Sequence, residues 1–117
     1  MSKILLILND PPYGTERCYN GLRLALSLPQ QREELQVSVF LMGDAVLCGK
    51  QGQKTPDGYY NVERMLRGVL RHGEVLLCGS CMEARGLKGE ELIPGAQPSN
   101  LQELARRTLE AEKVLVF

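Results

Sequence analysis

The segment KILLILN (3–9) sets a lysine ahead of an unbroken aliphatic run. An apolar run without polar alternation marks a strand covered on both faces, which is the situation inside a parallel sheet. DPPYG (10–14) ends that strand, because Pro11 and Pro12 have no N–H to give to a ladder. Thr15 is then expected to cap a helix in which Leu22, Leu24, Ala25, Leu26 and Leu28 recur at helical spacing. LQVSVFLM (35–42) reads as a second strand, which completes a βαβ unit, and Gly43-Asp44 opens a short helical segment at 45–48.

GKQGQKTPDGYYN (49–61) follows, a polar loop with three glycines and a proline. It is longer than the usual connection in a compact domain, and long loops are often functional. Asn61 is placed to cap a helix with Val62, Met65, Leu66, Val69 and Leu70 on one stripe and Gly73 at its end. EVLLC (74–78) is the third strand, and a new helical turn starts near Gly79. LKGEELIPGAQP (87–98) reads as irregular with room for a short extra strand, and Ser99 or Asn100 caps the helix LQELARRTLEAE. KVLVF (113–117) closes the chain as another buried strand. Strands alternating with helices at this spacing predict a three-layer α/β/α domain, with a largely parallel sheet of four or five strands. At 117 residues the expectation is one domain over 1–117. Right-handed crossovers bring DPPYGT, the stretch after Met42 and the turn at Cys78 to the carboxyl edge of the sheet, where a site is expected.

Fourteen Lys and Arg balance fourteen Asp and Glu, so no long-range field draws nucleic acid or an anionic membrane. Four cysteines, with no signal peptide and no apolar run of transmembrane length, predict free thiols in a cytoplasmic protein. The phosphate-binding patterns G-x-G-x-x-G and G-x-x-x-x-G-K-[ST] are missing, so the sequence argues for no nucleotide cofactor. A single histidine with a single C-x-x-C leaves a zinc site short of a fourth ligand, and no metal is expected. His72 falls near a helix C-terminus on the side opposite the presumed site and is expected to be an exposed helix-end residue.

The candidate catalytic residues are Cys78 and Cys81, in VLLCGSCMEARG (75–86). A cysteine at the last position of a parallel strand, leading into a helix through Gly79 and Ser80, faces free backbone N–H groups that favour thiolate over thiol. Cys81 lies about one turn further on, so the two sulfurs can approach, and it suits a resolving thiol or a second carrier sulfur. The plain alternative is that both are small core side chains. Cys18 in the first helix and Cys48 at the entrance to the long loop read as packing residues, and Arg85 as an exposed helix-end charge. Tyr13 and Gly14 either shape a pocket or simply pack in the turn.

Taken together, KILLILNDPPYGTE (3–16), FLMGDAV (40–46), GQKTPDGYYN (52–61), LCGSCMEARG (77–86) and LEAEKVLVF (109–117) resemble the DsrE/DsrF sulfur-relay superfamily, in its YchN-like branch. The resemblance runs across almost the whole chain. It implies the same three-layer fold and a homo-oligomer, hexamers being common in that branch. In the relay subunit that serves tRNA thiouridine synthesis, a cysteine after the third strand accepts sulfur as a persulfide. It lies eight residues before a glycine that ends an arginine-containing segment. Cys78 holds that position relative to Arg85 and Gly86, so the resemblance implies a sulfur carrier or sulfurtransferase-like protein, with protein donor and acceptor unidentified. The relay subunit lacks a C-x-x-C pair, and Cys81 matches the second cysteine of the YchN-like sequences. Two other readings stand beside it: a homo-oligomeric ligand-binding or regulatory module with inert cysteines, and a thiol–disulfide oxidoreductase using a Cys78–Cys81 bond.

Overall fold

A computed structural model describes residues 2–117. In chain order it contains β1 (Lys3–Leu8), α1 (Arg17–Gln31), β2 (Gln36–Leu41), a 3-10 segment (Gly43–Gly49), α2 (Val62–Leu70), β3 (Glu74–Cys78), α3 (Gly79–Ala84), a 3-10 turn (Gly89–Glu91), β4 (Gln97–Ser99), α4 (Leu101–Glu110) and β5 (Lys113–Val116). The strands form one sheet in the order β4-β3-β2-β1-β5, and every pairing is parallel. The predicted α/β architecture with five strands is therefore present, and the short strand anticipated within 87–98 is realised as β4, whose last residue is Ser99.

The unbroken apolar runs occupy the middle of the sheet. Leu5, Leu6 and Leu8 of β1, Val39, Phe40 and Leu41 of β2, and Leu77 of β3 are all within 1% of complete burial. Both faces of these strands are covered, so polar alternation would place unpaired polar groups in the core. Truncating one such leucine to alanine would cost about 2–5 kcal/mol. The α1 and α2 helices pack on each other, close enough that a Cβ on Gly68 would stand 2.9 Å from Leu26 Cδ2. The β4-to-β5 connection runs back across the sheet, and a right-handed crossover sets α4 on the opposite face. There Arg107 reaches Ser38 of β2 and Glu74 of β3.

Two expectations need correction. Thr15 does not cap α1; the residue before the helix is Glu16, at φ +83° and without a side-chain cap. Thr15 braces the preceding turn instead, donating to Asp10 Oδ2 at 2.9 Å and accepting the Arg17 N–H at 3.4 Å. β5 is not a buried strand but the edge beyond β1, with Val114 36% and Val116 65% exposed. An apolar run reports hydrophobicity, not the number of neighbouring strands, which topology decides. The other caps fall where expected: Asn61 Oδ1 accepts from Arg64 N–H and Asn100 Oδ1 from Glu103 N–H.

Candidate functional site

β3 ends at Cys78, whose neighbour in the sheet is Ser99 of β4. The chain turns immediately into α3, and a Cβ on Gly79 would stand 3.0 Å from the Ser99 carbonyl oxygen. Cys78 is the N-cap of α3, and its Sγ accepts the Cys81 backbone N–H at 3.4 Å. Ser80 Oγ lies 3.3 Å from the same sulfur. With only six residues, α3 has little macrodipole. The individual donors at its start do the electrostatic stabilisation that the sequence reading assigned partly to the helix end.

Burial works against a charged Cys78, which is 7% exposed. The Cys81 thiol, the Ser80 hydroxyl and the backbone N–H groups of both residues outweigh it, so the Cys78 thiol is held below its ordinary value. Cys81 moves the other way: burial and the proton it offers to Cys78 push its thiol up. The pair is asymmetric, one thiol lowered beside one raised.

Cys81 also has partners of its own from outside α3. The Gly43 backbone N–H, just beyond β2, partly offsets the rise of the Cys81 thiol. Gly43 sits at φ +55°, a left-handed conformation that favours glycine. Arg85 Nη1 donates to the Cys81 carbonyl at 3.0 Å, and Arg85 Nε donates to Asp44 Oδ1 at 2.9 Å. Arg85 is exposed at the helix end, as expected from the sequence, and it also clamps the end of α3 to the turn after β2. Asp44 and Gly43 were legible only as a helix start; their position at the carboxyl end of the neighbouring strand was the signal for something more.

Cys18 and Cys48 are 1% and 0% exposed, consistent with packing residues. They meet each other: the Cys48 thiol is pushed well up by its hydrogen bond to Cys18 and by burial. Cys18 Sγ donates to the Asp10 carbonyl at 3.0 Å. The Cys18–Cys48 pairing links α1 to the 3-10 segment, and spacing in the sequence gave no sign of it. All four cysteines are free thiols.

The long loop is tied to the first turn and to α2. Tyr13 Oη donates to Gln53 Oε1 at 2.6 Å and accepts the Val62 N–H at 3.0 Å. Glu63 Oε1 accepts the N–H groups of Gly52 and Gln53, each at 2.8 Å. Tyr59 and Tyr60 stack at 4.5 Å between centroids, and Tyr60 stacks on Tyr19 at 4.1 Å. Tyr13 therefore fastens a loop rather than lining a pocket at the Cys78–Cys81 pair.

His72 is exposed at the opposite edge of the sheet, where it borders a cavity of about 670 Å³ with Leu26, Arg71 and Glu33. Volume alone does not make that cavity the site. It has no nucleophile held by convergent donors, whereas the carboxyl edge has one. Among the described residues, no group of three or more His, Cys, Asp or Glu side chains could hold a metal, and no helix is long and apolar enough to cross a membrane. The chemistry open to the Cys78–Cys81 pair is nucleophilic attack by a thiolate on a sulfur electrophile, with a protonated thiol at hand.

Comparison with known proteins adds an independent line. A family model for the DsrE/DsrF-like family matches residues 2–117. The chain is 43% identical to protein YchN of Escherichia coli over 118 residues, covering all of both chains. It is 37% identical to an uncharacterized protein of Methanopyrus kandleri, over 97% of this chain and 93% of that one. The crystal structure of the E. coli YchN protein superposes with a TM-score of 0.95 over both whole chains. A protein of unknown function from Methanobacterium thermoautotrophicum shares the fold, with a TM-score of 0.83 at 12% identity over both whole chains.

Proposed function

The chain belongs to the DsrE/DsrF-like family, and on that premise we propose that it carries sulfane sulfur as a persulfide on Cys78. The observation that supports this reading is the set of donors on Cys78 Sγ, from Cys81 and Ser80, which favours a sulfur anion at a strand end. The Cys78 thiolate attacks the outer sulfur of a donor persulfide R–S–SH. A bond forms between Cys78 Sγ and that sulfur as the R–S bond breaks, and R–S⁻ leaves. An acceptor thiolate later takes the sulfur in the same way. Each exchange conserves oxidation state, so neither needs an oxidant. Assembly with further copies of the chain is part of the same reading, supported by the apolar edge at Val114 and Val116.

The test is intact-protein mass measurement after incubation with a cysteine desulfurase and cysteine. A gain of one sulfur in wild type, lost in Cys78→Ala, is expected. Loading that survives Cys78→Ala rejects the assignment. One observation favours a second reading, a ligand-binding module with inert cysteines: Cys78 is only 7% exposed. In that case Cys78 reacts with iodoacetamide only on unfolding, and no sulfur is gained.

A further inference from the structure

The cavity of about 670 Å³ lies at the amino edge of the sheet, away from the cysteine pair. Its size is within the roughly 300–1,000 Å³ of small-molecule sites. The carboxyl ends of two helices meet there: Leu26 and Pro29 come from α1, Gly68 from α2, and Arg71 and His72 from the turn that ends α2. The floor is apolar. Leu35, 8% exposed, lies under it, and a Cβ on Gly68 would crowd Leu26 Cδ2 at 2.9 Å.

The two walls carry opposite charge. Glu33 borders the cavity just beyond α1, while Arg71 and His72 border it from the α2 side. Among the described residues, none of these three side chains makes an ion pair or a hydrogen bond. Their neighbours do: Arg32 holds Glu34 at 3.1 Å, and Arg67, one turn before Arg71, holds Glu63 at 2.8 Å. Glu33 and Arg71 thus border one cavity but do not neutralise each other. The α1 side favours a cation in two further ways. No basic residue stands in the last turn of α1, so the negative end of its dipole is uncompensated within the helix. Pro29, inside α1, has no N–H to give the Ala25 carbonyl, and Ala25 borders a small adjoining hollow with Pro29 and His72.

Unpaired charges of opposite sign, set across an apolar floor, match a small molecule that carries both charges and an apolar body. We propose that this cavity binds an α-amino acid with an apolar side chain. The ammonium group faces Glu33 and the carboxyl end of α1, the carboxylate faces Arg71 and His72, and the side chain lies on Leu26, Pro29 and Leu35. A ligand with only a negative charge would be opposed by Glu33, and one with only a positive charge by Arg71. No cysteine takes part, so the site is independent of the persulfide reading.

The experiment is amide NMR of the full labelled chain, titrated with L-leucine, L-methionine and L-phenylalanine. Saturable shifts are expected at the Gly68, Arg71 and His72 amides, with those of Cys78 and Cys81 unmoved. Isocaproate and isoamylamine keep the leucine side chain but lack the ammonium or the carboxylate. Each should bind about tenfold more weakly than leucine, the loss of one hydrogen-bonded charge. Glu33→Gln and Arg71→Gln change exposed side chains, which the fold tolerates, and each should weaken leucine about threefold. Glu33→Gln should not weaken isocaproate, nor Arg71→Gln isoamylamine, because the altered side chain faces a group that those probes lack. Absence of saturable shifts with all three amino acids overturns the site. Isocaproate or isoamylamine binding as tightly as leucine overturns recognition of both charges, and shifts centred on amides away from this cavity overturn its location. Sulfur loading of Cys78 enters none of these outcomes.

Discussion

The backbone N–H of Cys81 points at Cys78 Sγ across 3.4 Å, so the second cysteine serves the first through its main chain. Replacing the Cys81 side chain therefore leaves that donor in place, whereas Ser80 contributes only through its hydroxyl and its own N–H.

Cys78 is expected to be alkylated by iodoacetamide at lower pH than Cys81, because the fold lowers one thiol and raises the other from the ordinary 9.0. Ser80→Ala should move the Cys78 midpoint upward by about half a pH unit, the effect of one modest hydrogen bond to the charged form. A depressed thiol favours the fold fully above its unfolded value, and that contribution fades as pH falls through the folded value. The stability cost of Ser80→Ala should therefore be larger at alkaline pH than at pH 7. Equal alkylation profiles for the two cysteines would contradict the asymmetry.

Glu63 holds the long loop to α2 through the Gly52 and Gln53 amides and an ion pair with Arg67. Its burial opposes the charge, but Arg67 and the two amides together keep the carboxyl below the ordinary 4.5. Such a group stabilises the fold above 4.5, and the contribution is lost as pH falls through the folded value. Glu63→Ala should cost about 1 kcal/mol near pH 7 in a urea titration and speed amide exchange at Gly52 and Gln53. The difference from wild type should shrink towards pH 3.

Gly73 tests packing at the turn into β3. A Cβ there would stand 2.2 Å from the Val37 carbonyl oxygen, a backbone atom that cannot rotate away. Gly73→Ala should cost about 2–3 kcal/mol in chemical denaturation. Gly89→Ala meets only Pro98 Cγ at 3.9 Å and should change stability by no more than about 0.5 kcal/mol. Similar midpoints for the two variants would refute the contact.

The β5 edge carries Val114 and Val116 on a strand with no outer neighbour among the described residues. An unpaired apolar edge is a template for another chain. If copies assemble through this edge, Val116→Asp should lower the mass seen by sedimentation velocity relative to wild type, with the circular dichroism of the fold retained. An unchanged mass would place any assembly contact elsewhere.

Local patterns carried much of the architecture. The apolar runs of β1, β2 and β3, the helical stripe of α2, and the Asn61 and Asn100 caps each depend on residues within a turn or two of one another. They were readable because hydrophobic period and capping act over that range. The cap of α1 was misread because Thr15 had a competing partner in Asp10, five residues away. The candidate position of Cys78 was readable for the same local reason, as a strand end followed by Gly79.

By itself, then, the sequence determined the α/β class, the parallel core and the placing of Cys78 at the carboxyl edge. Which residues surround the two cysteines was decided only by the tertiary structure. Strand order sets β2 beside β3, and that adjacency alone brings Asp44 to Arg85. The same order leaves β5 at the edge, although its residues read as core. Neighbour relations in a sheet depend on how crossovers are routed, and no periodicity within a strand encodes that.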